Sequence, residues 1–267
     1  MLRFFSFCLL FFCFSAAGQI YNKWSLEAIS GSSSYSGDLV QGNFPLKRMG
    51  LLLGSNLKYH LSSRFMIRGG VCWGKIYGDD KKNKDPELIE RNLSFKSNII
   101  VGNIGCELNI NDWEKYIYSP YIFIGLGGFY NNPFAFDNNN VKTYLRAICT
   151  EGQGLPEYPN RKKYSLFQFC IPVGVGIKYE LGPSLILSYE FNYHVLFTDY
   201  IDDVSTTYVS LNRLKEVYGQ TSADLSFRQS GVDFKKRLGE KRGDSKNRDV
   251  IYFNMIKLTK TFGYREL

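Results

Sequence analysis

Proline is scarce in this chain, 8 in 267 residues, and histidine is scarcer, with 2. Few prolines leave room for long uninterrupted strands. His60 and His194 alone offer little for metal ligation or imidazole acid–base chemistry. No Cys-x-x-Cys pair occurs, so zinc-ribbon and thioredoxin chemistry have no support. After residue 18 no stretch approaches the ~18 apolar residues of a spanning helix, which excludes a helical membrane protein. The glycines of GLGG (Gly125, Leu126, Gly127, Gly128) sit inside strand-like sequence rather than before a helix, so a phosphate loop is excluded by context.

What is abundant points elsewhere. There are 25 glycines, 19 tyrosines and 21 phenylalanines, a composition suited to an all-β protein. The first residues, MLRFFSFCLLFFCFSAAG, carry Arg3, an apolar core from Phe4 to Phe14 and small residues from Ser15 to Gly18. They predict a secretory signal over residues 1–18, with a mature domain over 19–267. No cysteine follows the small residues, so a lipoprotein is not indicated. Cys72, Cys106, Cys149 and Cys170 then enter an oxidising space, where buried lone thiols on strands, or one disulfide, are expected. The net charge is +8, with one cluster at Lys81, Lys82 and Lys84 and another at Lys235, Lys236, Arg237, Lys241, Arg242, Lys246 and Arg248. Neither has interleaved aromatics, so nucleic acid is not an expected partner. Solvated loop charge near anionic head groups is the better reading.

Period-two alternation marks eight strands. They start near Trp24, Arg48, Arg64, Leu93, Tyr121, Phe167, Ser184 and Val250, the last running to about Tyr264. The pair around Gly182-Pro183-Ser184 is a hairpin, with Val173, Val175, Ile177 and Tyr179 on one face and Gly174, Gly176, Lys178 and Glu180 on the other. In the fourth strand the apolar set switches faces near Ile99-Ile100, which predicts a bulge. Connections alternate strictly. Ser62-Ser63, the segment near Asn111 to Glu114 and Gly182-Pro183-Ser184 are short. The others are long: about 12 residues after Ser36, about 15 after Gly78, and the segments about 132–166 and 199–248.

An even strand count with alternating short and long connections predicts an eight-stranded antiparallel transmembrane β-barrel of the cell outer membrane, with short periplasmic turns and long outer loops. The apolar faces then meet lipid, and the polar faces fill a lumen only wide enough for side chains. Lys58, Arg68, Lys178, Glu180 and Glu190 are expected to neutralise one another there. Trp24, Tyr59, Trp73, Tyr77, Trp113, Tyr121 and Phe197 suit an interfacial girdle. A serine-type lipid deacylase would need a histidine at the lipid-facing rim, and both histidines fall on lumen faces. Asp199, Asp202 and Asp203 lack the spacing of a calcium loop. No catalytic residue, metal, cofactor or small-molecule substrate is expected.

Four segments carry a family resemblance: SYSGDL (Ser34 to Leu39), ERNLSF (Glu90 to Phe95), SPYIFIGLGGFYNNP (Ser119 to Pro133) and FTDYIDDVSTTYV (Phe197 to Val209). In order and spacing the chain resembles the PorG-like outer-membrane barrels of the type IX secretion and gliding machinery. The resemblance implies a non-enzymatic accessory that anchors or positions a periplasmic ring of PorK-like lipoprotein and PorN-like protein at the outer membrane. It singles out Tyr35, Gly37, Asp38, Arg91, Asn92, Asp199, Asp202 and Asp203. These lie at the outer end, away from a periplasmic ring, where they would hold the loops in one shape. Alternatives are a stand-alone structural or adhesin-type barrel and, with less support, a lipid-modifying enzyme.

Overall fold

The computed structural model describes residues 23–40, 48–112, 116–182 and 184–262. The expected signal peptide, Trp113, Glu114, Pro183 and Tyr264 lie outside them. Among the described residues ten strands form: β1 (Trp24–Ser36), β2 (Gly50–His60), β3 (Phe65–Asp79), β4 (Ser94–Asn109), β5 (Tyr118–Asn131), β6 (Phe134–Phe136), β7 (Lys142–Tyr144), β8 (Phe167–Gly182), β9 (Leu185–Leu196) and β10 (Val250–Thr261). Short helices α1 (Pro86–Arg91), α2 (Leu145–Ile148), α3 (Leu211–Tyr218) and α4 (Gln220–Ser226) lie in the long loops.

Eight long strands pair in the order β3-β2-β1-β10-β9-β8-β5-β4, and β4 returns to β3, closing an antiparallel barrel with no open edge. The β6–β7 hairpin stands on the rim, joined to the wall where Phe134 pairs with Lys96. Alternation holds along each wall strand. On β1, Trp24, Leu26 and Ala28 are exposed while Ser25, Glu27 and Ile29 are buried. Leu126, Ile124, Ile177 and Ile256 lie bare on the outside, the inverse of a water-soluble fold.

The expected bulge in β4 is absent. Its pairing to β3 and β5 runs in unbroken register, with Phe95, Ile99, Val101, Glu107 and Asn109 all inward. What changes along the strand is the chemistry of the lumen. The short-turn half is charged, whereas the long-loop half is an apolar core of Leu52, Ile76, Phe95, Ile99, Val101, Phe129, Ile251 and Phe253. The register irregularity lies instead between Glu180 and Gly182, at the end of β8.

Tyr121, expected in the girdle, points inward with 1% of its surface exposed. Its ring fits because β8 offers no side chain opposite. A Cβ on Gly176 would come within 2.6 Å of that ring and 2.5 Å of the Tyr189 carbonyl. Trp24 and Tyr59 do pack edge-to-face on the outside at the short-turn end, 4.8 Å between centroids. Cys72, Cys106, Cys149 and Cys170 are all free thiols. Cys106 is exposed on the outer wall, and Cys149 ends α2 at φ 53°, so these two are not buried strand thiols.

Gly176→Val is therefore expected to destabilise the barrel by about 1–3 kcal/mol through overpacking against Tyr121. Gly182→Ala, with nothing within 4 Å of the new methyl, should leave the urea midpoint in micelles unchanged.

Candidate functional site

The lumen cluster is built from side chains of strands all around the wall. Arg68 on β3 reaches across to β9, where Nη1 and Nη2 each donate to Glu190 at 2.6 Å, and Nη1 also donates to Glu107 at 2.8 Å. Its guanidinium lies 3.5 Å from the Phe123 ring centroid. Lys257 pairs with Glu190 at 2.5 Å and with Glu27 at 3.4 Å. Lys58 bridges Glu27 and Glu107, and Lys178 pairs with Glu107 and donates to Asn109 at 2.8 Å. Tyr121 donates to Glu190 at 2.7 Å. Four cations thus face three carboxylates in a sealed space. Lys58, Arg68, Lys178 and Glu190 lie in this cluster. Glu180 shares the inward face but is half-buried nearer the short turns.

Sequence reasoning missed Glu27, Glu107 and Lys257. Glu27 and Lys257 carry a usable signal, since each lies on the polar face of an alternating strand. Glu107 is hidden by the misread phase of β4. His60 is hydrogen-bonded to Ser25 at 2.6 Å, and His194 packs on Phe253 at 4.5 Å; both lie within the barrel.

At the other end all four long loops converge on one buried polar clasp. Tyr35, last but one in β1, donates to Asp202 and lies 3.2 Å from Asp249. Gly37 passes so close that a Cβ would sit 2.0 Å from Asp249 Oδ1, so only glycine fits. Asp38 accepts the Asp244 N–H at 3.0 Å. Arg91, at the end of α1, grips Asp80 through Nε (2.7 Å) and Nη2 (2.8 Å). It also donates to the carbonyls of Arg242 (2.6 Å) and Asp38 (2.7 Å). Asn92 closes α1 in the left-handed region, at φ 58°, and donates to the Arg228 carbonyl at 3.2 Å. Asp203, at φ 67°, accepts from Thr150 and from Tyr164 at 2.8 Å.

Arg242 and Glu151 form the hub. The Arg242 guanidinium donates to Glu151 at 3.0 Å and to the Asp203 carbonyl at 2.6 Å. Glu151 also accepts the N–H groups of Ser205 (2.9 Å) and Thr206 (3.0 Å). Arg242 is 2% exposed, which corrects its assignment to solvated loop charge. Its neighbours Lys235, Lys236 and Lys241 are exposed. Nothing in the sequence singles out Glu151, Asp80 or Asp249, because their meaning depends on segments far away in the chain.

Carboxylates outnumber guanidinium groups here, and burial moves them. Burial, with the charges of Asp38 and Glu151 behind it, pushes Asp199 up to about 8 against the pull of the Ser205 side chain. Burial pushes Asp203 up to about 7 against the pull of Arg242. Asp202 and Asp249 are held well above the usual carboxylate range, by burial first and by neighbouring carboxylates. Among the described residues no group of three His, Cys, Asp or Glu is arranged to hold a metal ion.

A family model described as a domain of unknown function, DUF6089, matches residues 2–244. The chain belongs to this family. No curated protein sequence matches it. Among solved structures it is similar to the Neisserial surface protein A (10% identity, 90% of this chain and 97% of that one, TM-score 0.43). It is also similar to a major outer membrane protein of Thermus thermophilus (11%, 90% and 99%, TM-score 0.43). A third is the outer membrane protein OprG of Pseudomonas aeruginosa (10%, 90% and 95%, TM-score 0.42).

Two outcomes test the clasp in this family member. Arg242→Ala strands Glu151 in a buried site and should cost about 3–5 kcal/mol, opening the 197–249 loop to trypsin. The Arg242→Met/Glu151→Gln pair should cost clearly less than the sum of its single changes. As for pH, the folded-state values of Asp199 and Asp203 exceed the ordinary 3.8. Their contribution is then fully present below that value and lost as pH rises through about 7 and about 8. Hydrogen exchange in the loop, corrected for intrinsic rates, should be faster at pH 8.5 than at pH 6, and Asp199→Asn should reduce the difference, with Asp203 carrying the remainder. Protection that rises with pH contradicts this account.

Proposed function

We propose that the chain is a non-enzymatic β-barrel of the cell outer membrane, with its long loops outside and its short turns in the periplasm. In this reading it is a component of a type IX protein secretion and gliding complex and anchors or positions a periplasmic ring. The observation that carries the membrane part is the inverted solvent order: leucine and isoleucine side chains face out while seven charged groups are sealed inside. Such an exterior is stable in hydrocarbon and would aggregate in water. A lumen filled by Arg68, Tyr121, Phe123 and their partners supports a scaffold rather than a pore.

The assembly part rests on the PorG-like segments. Ser34 to Leu39, Glu90 to Phe95 and Phe197 to Val209 supply much of the clasp, and the fourth supplies Tyr121 and Phe123 of the lumen. Side chains that hold one shape, rather than present chemistry, fit a positioning role. The partners proposed are PorK-like and PorN-like ring proteins, meeting the barrel at its short-turn end. The position of the clasp, on the side away from the ring, favours a second reading as a stand-alone structural or adhesin-type barrel.

Affinity purification of the tagged protein from outer membranes in mild detergent should recover both ring proteins at near-stoichiometric levels. A monomer, with the ring proteins left behind in the same membranes, selects the stand-alone barrel instead.

A further inference from the structure

The outer wall is not uniform at its long-loop rim. On β3 the outward series Phe65, Ile67, Val71 and Trp73 ends at Lys75, and on β4 the series Leu108, Ile104 and Ile100 ends at Asn98 and Lys96. Lys75 pairs with Asn98 and Tyr77 with Lys96 in the ladder, so both lysines stand just above the apolar band. Between this wall and the β6–β7 hairpin lies a groove of about 800 Å³, lined by Lys75, Lys82 and Lys96 together with Tyr77, Phe134 and Phe136. Lys96 lies over Phe136 at 5.3 Å, and Lys142, on the hairpin, lies over Phe134 at 4.1 Å. Asp79 is the one carboxylate lining the groove, and its Oδ1 accepts the Lys81 N–H at 3.1 Å. Lys142 also donates to the Tyr144 hydroxyl at 3.1 Å, and among the described residues none of the four lysines meets a carboxylate in an ion pair.

Directly below on the same strands, Gly69 and Gly102 face outward. A Cβ added at either would have no atom nearer than 3.6 Å and 4.0 Å respectively. Gly102 floors a second groove of about 630 Å³, walled by Ile104, Leu126 and Phe169. Cations at head-group height over an apolar furrow match one kind of molecule, in which anionic groups and hydrocarbon chains are joined.

We infer that this face of β3, β4 and the β6–β7 hairpin binds a phosphate-bearing, multiply acylated glycolipid of the outer leaflet, its phosphates on Lys75, Lys82, Lys96 and Lys142 and an acyl chain over Gly102. The inference rests on the proposed orientation in the membrane but not on the secretion role. Lysines stacked on aromatic faces lose less freedom on binding than free ones do, and each contributes through charge near the surface.

The test is native mass spectrometry of the full barrel in nonionic micelles, with bis-phosphorylated lipid A as the probe. One bound copy is expected. Lys75→Ala/Lys96→Ala/Lys142→Ala should weaken binding about a hundredfold, three surface cations having been removed. Lipid A stripped of its phosphates should bind the wild type comparably weakly. Lys235→Ala/Lys236→Ala/Lys241→Ala, which removes as much charge from the far loop, should bind as the wild type does. Gel-shift heat-modifiability checks that each variant is folded. Equal binding by the rim triple variant, equal loss in the far-loop variant, or full displacement by millimolar inorganic phosphate overturns the inference. The copurification experiment above can succeed while this one fails, so the two readings separate.

Discussion

Arg68 and Glu190 face each other from opposite sides of the barrel, four strands apart in either direction around the wall. A wall of eight strands leaves a lumen narrow enough for one long side chain to cross it. Once that contact exists, the remaining inward charges have to be arranged around it, because an unpartnered buried charge costs several kcal/mol. Glu107 shares Nη1 of Arg68 with Glu190, Lys257 and Tyr121 turn to Glu190, and Lys58 with Lys178 balances what is left. The large inward rings of Tyr121 and Phe123 need bare backbone opposite them, which Gly176 and Gly105 provide. The spacing of the glycines thus follows from the crossing contact.

The charged cluster occupies only part of the height. Above it the interior turns apolar, and this half is continuous with the loops: Leu39, Leu145, Ile201, Val204 and Leu225 belong to the same buried cluster as Phe95 and Phe253 of the wall. The loops are therefore a folded roof with a shared core. A smaller cluster of Leu155, Val209, Leu214 and Ala223 lies within the roof itself. The clasp of Arg91, Glu151 and Arg242 satisfies the backbone of chain segments that have no ladder to join.

Much of this is legible in the sequence, for a definite reason. Alternation of period two is local, so β1, β2, β3, β8, β9 and β10 can be placed within a few residues, and the alternation of connection lengths then suggests the barrel. The same locality explains the errors. In β4 the apolar residues seem to switch faces near Ile99-Ile100, yet the register is unbroken, because Ile99 and Val101 point into the oily half of the lumen while Ile100 and Ile104 face out; hydropathy alone cannot tell one oil from another. Tyr121 is misplaced for the same reason. The clasp is legible in part: Tyr35, Gly37, Asp38, Arg91, Asn92, Asp202 and Asp203 come from the resemblance. Their partners Asp80, Glu151 and Arg242 are invisible, since a residue whose role is to meet another chain segment leaves no periodic trace. Asp199, singled out by the same resemblance, sits in the clasp beside Ser205.

The contact of Tyr35 with Asp249 ties the end of the first wall strand to the residue preceding the last, 214 positions away. It can form only when β1 has found β10, the step that completes the ring. That one contact thus marks a wall that is shut beneath the roof. A chain with that seam open would leave the segment running into β10 without its tie to Tyr35. The fold thereby carries its own marker of completion, readable by any protease that meets the barrel before it has closed.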